Sequence, residues 1–198
     1  MTTTQENAGA PAATGPRWFW TQFEPGAPKA GKIPDGSDLA ALRLGLTIGA
    51  GEAPGMWRFY RTRLDDDLAA RGLISDRLIA EHMALALFGA HQQGQGRLMH
   101  APGVRLGKAA RALHESFSKD GVDGRMSAAA QARSLNAVFF NVRGLVSQLA
   151  SIGQPLDYTR LLRDLQSWTF PDSRARAVRI WGSDYYAWAG NSQADATA

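Results

Sequence analysis

One stretch constrains the fold more than any other: SDRLIAEHMALALFGAH, residues 75–91. Ser75 is a good helix N-cap, and the segment behind it is apolar nearly all round. Such a helix belongs at the centre of a protein, covered by other elements. The rest of the chain offers helices to do the covering. SDLAALRLGL (37–46) opens on Ser37 as cap and carries Leu39, Leu42 and Leu46 on one side. Helical periodicity recurs over 104–117, 126–151, 155–168 and 173–188. No alternating run longer than a few residues and no hairpin turn interrupts it. The expected class is all-α, as two small helical bundles with disordered termini.

The expected layout follows composition shifts along the chain. Residues 1–16, rich in Ala, Thr, Pro and Gly, read as a disordered tail, and residues 189–198 read the same way. An N-terminal bundle is expected over 17–117, beginning with the short amphipathic segment RWFWTQF (17–23). SKDGVDG (118–124), polar with two glycines, is the expected linker, and 125–188 the C-terminal, basic bundle. TIGAGEAPG (47–55) and QQGQGRLMHAPG (92–103) read as loops, the second a flexible one.

The absence of cysteine excludes disulfides, thiolate metal sites and a cysteine nucleophile, and makes a reducing cytoplasm the expected compartment. No apolar run approaches bilayer length, and the N-terminus lacks the pattern of a signal peptide. Charge is unevenly distributed: −1 over residues 1–40, +1 over 41–100 and +4 over 101–198. Between 125 and 181 stand eight arginines, no lysine, and only Asp157, Asp164 and Asp172. Guanidinium binds phosphate through a planar fork and sheds water more readily than ammonium.

The helix over 155–168, PLDYTRLLRDLQSW, has the clearest split. Asp157 is the expected N-cap, behind Pro155. Tyr158, Leu161, Leu162, Leu165 and Trp168 face the core, while Arg160, Arg163 and Ser167 face away. Asp164 can pair with Arg160 one turn on; Arg163 has no acid at i±3 or i±4. Upstream, Leu135, Val138, Phe139, Val142, Val146 and Leu149 form an apolar face, and Arg133, Asn136, Phe140 and Arg143 fall away from it. A cap at Ser134 or Asn136 would start a new helix and break that stripe. Two readings of Phe140 stand: packing beneath another helix, or stacking on a base among arginines. In SRARAVRIW, Arg174, Arg176 and Arg179 lie close together, with Val178 and Trp181 inward.

Catalytic signals are weak. The histidines lack metal-ligand spacing, and no HExxH, GxGxxG, Walker A or GxSxG motif occurs. The carboxylates of LDDDL (64–68) diverge by about 100° per residue on a helix. A solvated face with one acid pairing a nearby arginine accounts for them. No catalytic residue, metal or cofactor is expected, and the chain reads as a binding protein.

Several segments together resemble one family. GVRLGKAARAL (103–113), NVRGLVSQLASIGQPLDYTRLLRDLQSW (141–168) and WGSDYYAW (181–188) resemble the CasB-type small subunit of Cascade, the type I-E CRISPR surveillance complex. The weaker LAALRLGL and APGMWRFY occur in the right order, so the resemblance spans about 37–188. It implies an all-helical, non-enzymatic subunit in antiviral defence. Such a subunit is paired with a second copy, docked on the backbone and large subunits, and stabilises an R-loop by contacting target DNA and the displaced strand. Sequence reading is left to the guide RNA. Affinity for DNA and RNA is then expected to be independent of sequence. The resemblance places Arg43, Lys108, Arg133, Arg143 and Arg163 at basic positions of the family. The helix faces add Arg160, Arg176 and Arg179 as candidate nucleic-acid contacts. NAVFFN departs from the family, which is usually more polar there. The competing readings are a helical DNA-binding regulator, although no helix–turn–helix stands out, and a protein-only scaffold with a solvated arginine-rich surface.

Overall fold

The computed structural model describes residues 18–186. The expected tails at 1–16 and 189–198 lie outside that range. Within it the chain is helical, and an isolated parallel bridge between His100 and Leu156 stands in place of any strand.

The apolar segment forms α3, Asp76–Gln92, capped by Ser75 accepting from the Leu78 amide. It carries a continuous run of buried residues from Ala80 to Gly89. Three helices lie against it: α1 (Gly36–Arg43), α6 (Leu135–Ser151) and α7 (Tyr158–Gln166). A short α2 (Asp66–Ala69) precedes α3. α4 (Leu106–Ala112), α5 (Lys119–Gln131) and α8 (Pro171–Tyr185) complete the set. Trp18–Phe23, expected as an amphipathic entry, goes deeper: Trp18, Phe19, Trp20 and Phe23 are all buried. Trp20 sits against Phe88 and Tyr158, and its Nε1 donates to Thr159 Oγ1 at 2.9 Å.

Two glycines set close helix crossings. A Cβ on Gly89 would stand 2.7 Å from Leu42 Cβ, so the missing side chain lets α1 press closely on α3 at this point. A Cβ on Gly107 would stand 2.1 Å from the Trp181 carbonyl oxygen, so α4 crosses α8 backbone to backbone. Side chains at either place would force the helices apart.

Three local expectations are corrected. The N-cap of α1 is Asp35, not Ser37, which lies inside the helix. Residues 118–124, expected as a linker, are helix: Ser118 caps α5 and Val122 is buried. The polar residues and both glycines that suggested a loop form an exposed helix face. One hydrophobic cluster runs from Trp18 to Tyr185 and draws residues from both sides of that segment. The loop 92–103 is stitched down near its end. Met99 and His100 are buried, Leu156 N donates to Met99 O at 3.0 Å, and Ala101 N to Leu156 O at 3.2 Å.

Candidate nucleic-acid interface

α7 begins where Asp157 Oδ1 accepts from the Arg160 amide (2.9 Å) while Oδ2 accepts from the Gly103 amide (2.8 Å). Tyr158, Leu161, Leu162, Leu165 and Trp168 are buried as their spacing requires. The two arginines then part company. Arg160 is half-buried, and its Nε lies 3.2 Å from Asp164 Oδ1, an ion pair without hydrogen-bond alignment. Asp164 is only 5% exposed, and Trp181 Nε1 donates to its Oδ2 at 2.8 Å. Burial pushes its carboxyl up; the Trp181 donor and then the Arg160 charge pull it back part of the way. Trp181 stacks on Trp168, centroids 5.1 Å apart. The pair expected as a surface i,i+4 contact is therefore part of the α7–α8 seam. Arg163 is exposed and has no ion-pair partner among the described residues.

On α6 the Ser134 cap takes effect, its Oγ accepting from the Ala137 amide at 3.2 Å. Arg133 thus lies in the α5–α6 connector, exposed, and not on the helix face with Asn136 and Phe140. The exposed face reads Asn136, Phe140, Arg143, Ser147, at i, i+4, i+7 and i+11. Phe140 is 75% exposed, so nothing among the described residues covers it. Arg143 Nη1 lies 3.4 Å from the Leu46 carbonyl, which brings it beside the turn that follows Arg43. Arg43 is half-buried at the end of α1. Asn136 and Phe139 also line a cavity of about 300 Å³ closed on the other side by residues 45–50 and by Ile79, His82 and Met83.

On α8, Ala177, Trp181 and Tyr185 turn inward, and Arg176 and Arg179 stand exposed one turn apart. Arg174 does not join them: it is half-buried and its Nη1 donates to the Trp168 carbonyl at 3.3 Å. Lys108 is exposed on α4, next to the Gly107 crossing. Arg125, exposed on α5 opposite Gly144, was hidden in the sequence by the expected linker just before it. Of the candidates, Arg176 and Arg179 share one face of α8, Arg143 reaches the turn after α1, and Arg163 stands on its own helix face.

The acids behave differently. Asp157 spends both oxygens on backbone amides, Asp164 is buried, and Asp184 pairs with Arg105. Glu81 is buried and clamps the loop before α2 by accepting from the Arg61 and Thr62 amides, each at 2.7 Å. Sequence missed this clamp, because an acid inside an apolar run reads as a blemish in the pattern. Of the LDDDL acids, Asp65 caps α2 by accepting from the Leu68 amide. Among the described residues no group of three or more His, Asp or Glu is placed to hold a metal, and no helix is long and apolar enough to cross a membrane.

A family model for the CRISPR-associated protein Cse2 matches residues 38–186. The crystal structure of CasB from Thermobifida fusca is similar over 76% of this chain and 84% of its own, with 26% identity and a TM-score of 0.59. That of a Cse2-family CRISPR-associated protein from Thermus thermophilus shares the fold at 22% identity, over 76% of this chain and 86% of its own, with a TM-score of 0.57. No curated protein matches the chain.

Proposed function

The chain belongs to the CRISPR-associated Cse2 family, and from that premise we propose that it is a non-catalytic small subunit of a type I-E Cascade complex, holding nucleic acid by its phosphates. One observation carries the proposal: between 125 and 181 the arginines Arg133, Arg143, Arg163, Arg176 and Arg179 stand exposed with no ion-pair partner among the described residues, while Asp157 is bonded to backbone amides and Asp164 is buried, which leaves Asp172 as the exposed acid of that span. Exposed arginine without an acid neighbour contributes little to stability and suits a phosphate. With Arg43 and Lys108 they form a set of contacts to the sugar–phosphate backbone, which position a strand without reading its bases. Arg160, tied to the buried Asp164, contributes mainly to the fold. In this reading the protein works in the cytoplasm beside the backbone and large subunits and a second copy of itself. It steadies target and displaced DNA strands in an R-loop while guide pairing supplies specificity.

The experiment is a binding titration of the full chain on unrelated duplexes and single strands at several salt concentrations. Affinity should not depend on sequence. If about four to six arginines reach phosphates, the log–log salt slope should be roughly −3 to −5. A flat salt response would remove the phosphate contacts from the account, and strong preference for one duplex would favour a regulator. Divalent metal should produce no cleavage; cleavage abolished by changing Asp65–Asp67 would overturn the non-catalytic role.

A further inference from the structure

The exposed face of α6 carries something a phosphate clamp does not need. Phe140 is 75% exposed in the middle of a helix, between Asn136 one turn before and Arg143 one turn after. Its surroundings are polar: Asn136, Arg143 and Ser147 share its face and are all exposed. A single ring bordered by an amide, a guanidinium and a hydroxyl is a poor nucleus for a protein interface, whose centre is a fully covered apolar cluster. The charge around it is one-sided. No acid occurs from residue 124 to residue 156, while Arg125, Arg133 and Arg143 do. The nearest stretch of the 45–50 loop, which lines the cavity with Asn136 and Phe139, brings no acid of its own into that lining. Arg143 Nη1 reaches the Leu46 carbonyl at 3.4 Å, so its charge lies between α6 and the turn that follows α1.

A flat apolar ring in a cationic, acid-free helix face fits one chemistry well, a nucleobase whose own phosphates lie over the arginines. We propose that Phe140 is a stacking platform for an unpaired base, so that this face takes single-stranded nucleic acid in preference to duplex. The inference rests on the nucleic-acid reading above and adds the strand class to it. In a duplex the bases are already stacked and their faces hidden, so the ring gains nothing; in a single strand every base offers a π face. Asn136, beside the ring, has an exposed amide to meet a base edge or sugar.

The test compares wild type with Phe140→Ala, Phe140→Trp and Arg143→Ala, using the full chain, a labelled oligothymidine and a labelled hairpin duplex. Phe140→Ala should weaken oligothymidine binding about 5- to 150-fold, as loss of a stacked base does. Duplex binding and the salt slope should stay unchanged. Phe140→Trp should restore the single-strand affinity, and Arg143→Ala should weaken both ligands and flatten the slope by about one unit. Circular dichroism and melting should match wild type for the Phe140 variants, since the ring is left uncovered by the fold. Equal loss on both ligands, or no loss on oligothymidine, overturns the stacking platform while leaving the arginine reading intact. Unchanged nucleic-acid binding together with failure to enter a reconstituted complex would make Phe140 a protein contact and likewise overturn it. If wild type shows no salt-dependent binding at all, the phosphate reading itself has failed.

Discussion

The seam between α7 and α8 and the outer face of α6 use the same kinds of residue in opposite ways. In the seam an arginine, an aspartate and two tryptophans are committed to one another: Arg160 beside Asp164, Asp164 bonded by Trp181, Trp181 stacked on Trp168. On α6 an arginine, an amide and a phenylalanine face outward, and Phe140 is left uncovered by the described residues. Polar groups in the first region are partnered because a buried unpaired charge is costly. In the second they are exposed, so folding does not explain their presence; the nucleic acid proposed above would. The two arginines of α7 repeat the contrast within one helix.

Perturbing the seam should give the largest effects. Trp181→Ala removes the stack and strips Asp164 of its donor. It should cost about 3–5 kcal/mol in denaturant unfolding, the range for a buried tryptophan truncated to alanine. Acid should come next. Burial pushes the His91 imidazole down to about 4, against a smaller opposing pull from the Gln154 backbone. The unfolded chain takes up that proton near 6.5 and the folded chain resists it to about 4. Stability is therefore full above 6.5 and falls as pH drops toward 4, by about 3 kcal/mol from this residue. His82 and His100 are lowered by burial too and add to the same trend. Unfolding midpoints at neutral and acid pH should differ less in His91→Leu than in wild type. Gly107→Ala, which drives a methyl into the Trp181 carbonyl, should cost about 1–3 kcal/mol as an overpacked contact does.

Arg160→Ala sharpens the comparison further. Arg160 is partly solvated, so its loss should cost about 1–2 kcal/mol, below the value for a fully buried pair. It also leaves Asp164 without its cation, raising a carboxyl that already titrates high. A folded-state pKa above the unfolded one gives stability that is present at low pH and lost as pH rises through it. The variant should therefore lose stability toward neutral pH more steeply than wild type, as melting curves on either side of the carboxylate range would show.

Much of this is legible in the sequence. The 3.6-residue spacing in α3, α6 and α7, the caps at Ser75 and Asp157 and the outward turn of Arg163 follow from local rules that tertiary packing does not contradict here. The segment at 118–124 misleads because two glycines and four charged or hydroxyl residues suit a loop as well as an exposed helical turn. Only the burial of Val122 and Met126 against neighbours distinguishes the two. Gly107 and Glu81 are invisible for another reason. Each answers to a partner far along the chain, Trp181 for one and the Arg61–Thr62 backbone for the other. The ion pair of Arg160 and Asp164 is readable from spacing, but its burial depends on Trp181 arriving from α8.

The smallest stability effect belongs to the most direct test. Arg160→Ala and Arg163→Ala, made side by side, separate a charge used by the fold from a charge left for a ligand. The measurement is the salt dependence of DNA affinity beside the melting temperature of each variant. Arg163→Ala should leave stability within about 0.5 kcal/mol of wild type, weaken binding uniformly across sequences and reduce the salt slope by about one unit. Arg160→Ala should lower the melting temperature and leave the slope of the folded protein nearly unchanged. If instead Arg163→Ala unfolds the protein while its folded fraction binds DNA as wild type does, the division between an arginine used by the fold and an arginine left for a ligand is wrong.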